Sequence, residues 1–431
     1  MQSHSQAENR PSVAIIGAGV VGLCTALQAQ RRGYQVTLID RGEPGKGASF
    51  GNAGYLATEL IDPLSNADTI RRAPRMLLDP DGPLALPIRY LHRSLPWLMR
   101  FVAAARPEHV ERSRQGLRQL NGQAVAAWKR TLSDVDGEDH LLQSGYLLVW
   151  ESAQGRQAAI EHSQYLQRWG IESTLIEADQ IAELEPALST AVSHALFFPN
   201  AHQVRDPYLL CQHLFKSFEA RGGRFVQQPI DGLKADTRLI TLAGPKETLT
   251  CDKAIVCAGA WSRTLMNMTG LDVPLEAERG YHLTMHSDDI KLNRPVGSAE
   301  RHFVMSPLAS GLRAVGFTEI GGLQGAPVKR RFQTLLRNSR ALVPALSRQS
   351  VEKSEWMGHR PTLPDSLPVI SRHPAHANLL FAFGNQHLGL TQAAITAEMV
   401  VDLMCDVTPA IDPQPYRVDR FNTSTSSRDA A

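Results

Sequence analysis

The sequence predicts an α/β chain: a parallel sheet flanked by helices, assembled from separated stretches and interrupted by an inserted α+β unit. Three observations predict it. The branched apolar run Ser12-Val13-Ala14-Ile15-Ile16 leads straight into Gly17-Ala18-Gly19-Val20-Val21-Gly22, a helical stretch from Leu23 to Arg32 stopped by Gly33, and a second strand from Tyr34 to Ile39. A further buried strand, Lys253 to Ala258, ends in Gly259-Ala260-Trp261. A closing module joins the strand Leu379 to Phe383, the loop Gly384 to Leu390 and an apolar helix from Thr391 to Met404, with Thr391 as its expected N-cap. No repeat or low-complexity linker lies between these modules.

The 431 residues suffice for two or three domains, and 43% hydrophobic with 20% charged residues is globular composition. Lys plus Arg total 45 against 43 Asp plus Glu, a net charge of +2, which excludes a general field for gripping nucleic acid. Cys24, Cys211, Cys251, Cys257 and Cys405 are odd in number and lack metal-ligand spacing. They read as reduced thiols of a cytoplasmic protein, with no metal site. Val13 to Gln30 carries no charge, but the preceding Met1 to Pro11 holds one acid and one base, which argues against a signal peptide.

Strand, glycine loop, helix, strand and terminal acid, in that order, form the dinucleotide-binding pattern of a Rossmann-like domain. Gly17 makes the tight turn, Gly19 admits the pyrophosphate, and Gly22 lets helix and strand pack closely. Phosphate charge then meets the free N–H groups at the helix start. Asp40, followed by Arg41, can accept from ribose hydroxyls and would repel a 2′-phosphate. The motif does not separate NAD from FAD. Gly47-Ala48-Ser49-Phe50-Gly51-Asn52-Ala53-Gly54-Tyr55 is small and polar with no third strand; it reads as backbone lying along an extended cofactor or as a surface loop.

Between the modules, Leu60 to Asp139 is helical and irregular, Gly145 to Trp150 a strand and Ala158 to Trp169 a helix. Ile181 to Glu185 reads as a short turn before Pro186. Asp206 caps a helix to Arg221 with Pro207 at its first position, and Arg224 to Gln228 is a strand followed by a hairpin-like stretch to Leu249. Residues 279–349 alternate strands with one helix, Phe332 to Leu342. In Gly358-His359-Arg360-Pro361-Thr362-Leu363-Pro364-Asp365, read as a loop, Arg360 suits a two-pronged grip on a carboxylate, or pairs with Asp365. The helix start after Gly384 to Leu390 suits the negative charge a reduced flavin gains, or is a simple packing turn.

Taken together, these motifs resemble the FAD-dependent D-amino acid oxidase and glycine/sarcosine oxidase superfamily, and most of all its bacterial D-amino acid dehydrogenases. The resemblance spans Val13 to Arg417. It rests on the Gly17–Gly22 loop, Ser49-x-x-Asn52-Ala53-Gly54, Ile255 through Ser262, Gly280-Tyr281-x-Leu283-Thr284, Gly358-x-Arg360-Pro361-x-x-Pro364-Asp365, and Gly384-x-x-x-x-Gly389-x-Thr391. Two departures stand out: Gly384-Asn385 replaces a frequent Gly-His pair, with a His at 387, and Ser366 replaces a usual Gly.

The resemblance implies a Rossmann-like FAD-binding domain of glutathione-reductase type with an inserted α+β substrate domain. The FAD-binding pieces would be 11–60, 198–272 and 354–417, the substrate pieces 61–197 and 273–353, with flexible tails at 1–10 and 418–431. FAD would bind non-covalently on Gly17, Ala18, Gly19, Val20, Val21, Gly22, Asp40 and Arg41, with Ile230 at the adenine. Ala48, Ser49, Asn52, Ala53, Gly54, Ala258, Gly259, Trp261 and Gly358 would surround it. So would Gly384, Asn385, Gln386, His387, Leu388, Gly389, Leu390 and Thr391.

Arg360 would anchor the substrate carboxylate, Tyr281 and Tyr55 would line the pocket, and His387 is either a proton acceptor or a satisfied polar histidine. The expected reaction is oxidative deamination of a D-amino acid, with D-proline or hydroxy-D-proline in view, by hydride transfer to flavin N5. Electrons would pass to a quinone or other respiratory acceptor, or to O2 in an oxidase. Gly82 to Pro107 holds Arg89, Arg93, Arg100 and Arg106, no acid, and Tyr90, Trp97 and Phe101 among leucines. It reads as a peripheral contact with the inner face of the inner membrane or as a basic helix covering the substrate domain.

Overall fold

The computed structural model describes residues 10–287, 289–348 and 351–421. Ser12–Ile16 lies at the middle of a six-stranded sheet, parallel to Gln35–Asp40 on one side and Lys253–Val256 on the other. Arg224–Gln227 extends one edge and Leu379–Phe383 the other, both parallel, and Val369–Arg372 closes the sheet antiparallel. Strands of a parallel sheet are covered on both faces, which is why Val13–Ile16 and Leu379–Phe383 are unbroken apolar runs, buried throughout. The helices Val20–Arg31 and Gly389–Met404 pack on one face, in a core with Leu23, Leu27, Ile395 and Met399. The other face is covered by the antiparallel strands Gly232–Ala235, Ile240–Ala243 and Thr248–Cys251, the expected hairpin stretch.

A second, nine-stranded sheet runs in the order Glu352–Thr362, Glu276–His286, Gly311–Ile320, Phe303–Leu308, Val296–Ser298, Tyr146–Trp150, His194–Phe198, Thr174–Glu177, with Leu84–Ala85 added beside Gly311–Ile320. The helix Lys329–Leu342 packs on it through Phe332, Leu335 and Leu342, beginning one turn before the expected Phe332. In Pro207–Ala220 the Asp206 carboxylate accepts from the amides of Tyr208 and Leu209, as its capping position predicts.

Several expectations need correction. The turn at Ile181–Glu185 is a helix, Ala178–Leu184, opened by a capping box between Glu177 and Gln180. The stretch from Leu60 to Asp139, read as helical and irregular, does hold helices, Ala67–Leu78, Ile88–Ala104 and Pro107–Ser133, the first two with an internal proline. Val418–Phe421, placed in the flexible tail, is a 3-10 turn with Val418 buried and Arg420 bonded to Asp365. Residues 1–9 and 422–431 of the expected tails lie outside the described residues. Among the described residues no helix is long and apolar enough to cross a membrane.

Candidate active site

A cavity of about 780 Å³ opens between the ends of the parallel strands and one face of the nine-stranded sheet. This is the position where ligands bind in open α/β sheets. Its nucleotide-like end is built by the glycine loop. Gly17 has φ +114°, and a Cβ there would lie 2.4 Å from the Cys257 carbonyl oxygen; a Cβ at Gly22 would lie 1.8 Å from the Gly17 carbonyl. Only glycine lets strand, turn and helix close this tightly. Asp40 holds the turn: its carboxylate accepts from the amides of Ala18 at 2.7 Å and Gly42 at 2.8 Å. Ser49 Oγ accepts from the Val20 amide at 2.9 Å, tying the small polar segment to the first turn of the helix.

Of the residues expected around the cofactor, Gly17, Gly19, Val20, Val21, Asp40, Arg41, Ala48, Ser49, Asn52, Ala53, Ile230, Ala258, Gly259, Trp261, Gly358, Gly384, Asn385, Gln386, His387, Gly389 and Leu390 line the cavity. Ala18, Gly22, Gly54, Leu388 and Thr391 do not; they support the wall from behind. Gly54 takes φ +75° and donates to Asn52 Oδ1, while Leu388 belongs to the core. Thr391 is not an N-cap, because the last helix starts at Gly389. Its hydroxyl instead accepts from the Ala57 amide at 3.0 Å.

The closing loop is strained toward the cavity. Gln386 adopts φ +52°, as do His302 at +52° and Phe317 at +64° on the opposite walls, conformations that cost a non-glycine residue about 1–3 kcal/mol. The Asn385 amide is spent inside the protein, donating to Gln392 Oε1 at 3.0 Å and Thr396 Oγ1 at 3.1 Å. Three polar atoms of the cavity wall, Gln386 Nε2, His359 Nε2 and the Tyr55 hydroxyl, are buried without a hydrogen-bond partner among the described residues. Buried polar atoms of this kind need a partner, and an extended ligand rich in oxygens and ring nitrogens, as FAD is, supplies it.

Arg360 stands at the sheet edge of the cavity. It is on the strand Glu352–Thr362, not in the expected loop, directly across from Glu278 on Glu276–His286. Its Nη1 donates to Glu278 Oε1 at 2.5 Å and to the Phe317 carbonyl at 3.0 Å. Thr318 and Thr362 also donate to the Glu278 carboxylate, at 2.9 and 3.0 Å. The alternative pairing with Asp365 is excluded, since Asp365 bonds Arg420. A register shift between Arg279 and Tyr281 bulges the facing strand around Phe317 and brings its carbonyl to the guanidinium. Gly280 makes the room: a Cβ there would lie 2.5 Å from Arg360 Cζ.

The other expected groups are placed differently from their sequence reading. Tyr281 contributes to the wall, but its hydroxyl donates to Glu319 Oε2 at 2.9 Å, a carboxylate ion-paired with Arg279 at 2.9 Å. Its one polar atom is therefore occupied. His387 is half-buried in the cavity wall, and desolvation, helped by the positive charge of Arg360, lowers its pKa to about 4. It stays a neutral imidazole near pH 7, which makes it a poor proton acceptor.

Sequence reasoning missed many residues of the wall, among them Glu278, Glu59 and Tyr146. Glu278 lies two residues before the quoted Gly280-Tyr281 motif, in a strand that also carries Glu276, Arg279 and His282, so its residue type alone did not single it out. Glu59 follows the small polar segment with no distinguishing signal.

The chain matches the family model described as FAD dependent oxidoreductase over residues 12–403. It is 33% identical over 415 residues to a D-amino-acid oxidase of Bradyrhizobium diazoefficiens, covering 95% of this chain and 98% of that one. It is 30% identical to D-amino acid dehydrogenase 2 of Ralstonia nicotianae, covering 95% of this chain and all of that one. Its fold matches that of glycine oxidase from Geobacillus kaustophilus, with TM-score 0.77 at 19% identity over 95% of this chain and 99% of the other. With a glycine cradle fitted to a dinucleotide and unpaired polar atoms in the wall beyond it, the chain belongs to the FAD-dependent oxidoreductases.

Proposed function

We propose that this enzyme oxidises D-amino acids to the corresponding imino acids, which water then hydrolyses unless they are cyclic, and passes the electrons to a membrane acceptor such as a quinone. The observation that carries the reading is Arg360: a guanidinium on a rigid strand, with Nη2 and Nε over Gly280 and Nη1 fixed by Glu278. The free edge of such a fork suits a carboxylate and holds the α-carbon in one orientation. FAD, when bound, takes the hydride released from that carbon. Neutral His387 leaves the substrate amine free of a competing cation. The two D-amino acid enzymes it resembles at 30% identity or more support the D configuration.

The membrane acceptor is supported by the helix Ile88–Ala104. Ile88, Leu91, Leu95, Met99 and Val102 form one exposed stripe along it, with Ile88 88% and Met99 66% exposed. At 100° per residue, Arg89, Arg93 and Arg100 follow one flank of the stripe. An apolar ridge bordered by cations fits the interface of an anionic bilayer.

The test is reduction of a dye by the purified yellow protein without air, across D-, L- and N-methyl amino acids including D-proline and hydroxy-D-proline, compared with peroxide formed in air. Dye reduction by D-amino acids with little peroxide is the expected result. Peroxide in proportion to turnover assigns the O2-using alternative, and a flavin that no D-amino acid reduces overturns the reading.

A further inference from the structure

Glu59 is an acid in the wall of the same cavity, only 8% exposed, on the segment leaving the short strand Tyr55–Leu56. Among the described residues it forms no ion pair, which is uncommon for a buried carboxylate. Its neighbours are two tyrosines stacked with ring centroids 4.3 Å apart, Tyr55 and Tyr146. The Tyr55 hydroxyl sits beside the carboxylate without completing a hydrogen bond of proper geometry.

A lone carboxylate set against aromatic faces is the chemistry that receives an organic cation, by charge and by cation–π attraction together. The cation cannot come from Arg360, which is committed to Glu278 on another wall. Arg360 is on the edge strand Glu352–Thr362, whereas Tyr146 is on Tyr146–Trp150, with four strands between them in the sheet order. A ligand that engages both walls carries a carboxylate at one end and a cation at the end of a long chain.

We infer that Glu59, with Tyr55 and Tyr146, binds the positively charged side chain of a basic D-amino acid, so that the preferred substrates are of the D-arginine and D-lysine class. This rests on the proposed D-amino acid oxidation and narrows its substrate from small cyclic to extended cationic. Desolvation by burial raises the Glu59 pKa to about 7, and Tyr55 and Tyr146 are the titratable groups that face it. A bound cation favours the ionised form, so binding of a basic substrate releases part of a proton near neutral pH.

The experiment uses the holoenzyme with D-arginine, D-lysine and D-norleucine, the last an uncharged counterpart of D-lysine, in dye reduction without air. Expected is a kcat/KM for D-lysine at least about 10-fold above that for D-norleucine, carried by KM. Glu59→Gln should raise KM for D-arginine and D-lysine about 10- to 100-fold and change D-norleucine less than about 3-fold, with flavin content unchanged. Equal losses on all three substrates would place Glu59 at the α-amine and overturn the inference. So would equal wild-type values for D-lysine and D-norleucine, while leaving D-amino acid oxidation intact. Failure of every D-amino acid to reduce the flavin would instead remove the functional reading beneath it. If Glu59→Gln loses flavin, Tyr146→Leu serves as the second variant, with the same selective loss expected.

Discussion

Glu278 and Arg360 occupy directly opposed positions on two antiparallel strands, and the guanidinium Nη1 lies 2.5 Å from the carboxylate. The pair is mostly buried, with 5% of the Glu278 side chain and 19% of the Arg360 side chain exposed. Glu278 thus fixes one arm of the fork and leaves the other toward the cavity. Arg360→Ala should raise KM for a D-amino acid by about 30-fold or more, since a desolvated charge-assisted bond is worth about 2–5 kcal/mol. Flavin absorbance should persist. Arg360→Lys keeps the charge but not the fork, and should recover only part of the loss. Near-normal KM in the alanine variant would remove Arg360 from the substrate.

Two glycines should separate the cofactor end from the substrate end. A Cβ at Gly17 meets the Cys257 carbonyl at 2.4 Å and sits on a φ of +114°, so Gly17→Ala should yield protein with little bound flavin and a lowered Tm. A Cβ at Gly280 meets Arg360 Cζ at 2.5 Å and displaces the guanidinium, so Gly280→Ala should keep its flavin and raise KM. Flavin content by absorbance and KM by dye reduction read the two effects. Flavin loss in both variants would show that the cavity does not divide in this way.

The dinucleotide end was legible from sequence because its signal is local. Ser12 to Asp40 carries both strands, the turn and the helix within one short stretch, and the helix Val20–Arg31 starts about one turn before the expected Leu23. The Arg360 end of the cavity was not, because its groups meet only through strand pairing. Arg360 reads as a loop residue among Gly358, Pro361 and Pro364, yet it is held in a strand by eleven residues of register with Glu276–His286. No pattern along the chain joins Glu278 to Arg360, or Glu59 to Tyr146. The capping of Gly389–Met404 failed for a related reason: Thr391 has the residue type of a cap, but the Ala57 amide claims its hydroxyl and the helix begins earlier.

Stability should fall on the acid side, and histidines should carry much of the fall. Burial lowers His387 to about 4 and His282 to about 3, each from an ordinary value of 6.5. The unfolded chain therefore binds protons that the folded one refuses, so stability is full above about pH 6.5 and is lost as pH drops toward 4. Glu59 acts in the opposite window. Its pKa rises from 4.5 to about 7, so the folded state is penalised as pH climbs through that interval. Tm measured from pH 4 to 8 should show a shallower acid slope in His387→Gln. Glu59→Gln should gain Tm relative to the parent at pH 8 but not at pH 5. Parallel Tm curves for all three proteins would contradict these assignments.

The exposed helix makes the last prediction. Trp97 anchors it from the inside, its indole N–H donating to the Thr362 carbonyl at 3.3 Å, two residues from Arg360, so the helix is tied to the strand that carries Arg360. Its outward face presents Leu95 at 51% and Met99 at 66% exposure. Each nearby arginine adds about 1 kcal/mol of attraction to an anionic surface at low salt. The protein should sediment with phosphatidylglycerol vesicles at low ionic strength and release in part at high salt, where screening shortens the reach of Arg89, Arg93 and Arg100. A Leu95→Asp, Met99→Asp double variant should stay in the supernatant, keep its dye reductase activity, and lose reduction of a quinone held in the vesicles. Both side chains are solvent-facing, so the fold should tolerate the change. Wild-type protein that remains wholly in the supernatant at low salt would show that the stripe serves something other than a bilayer.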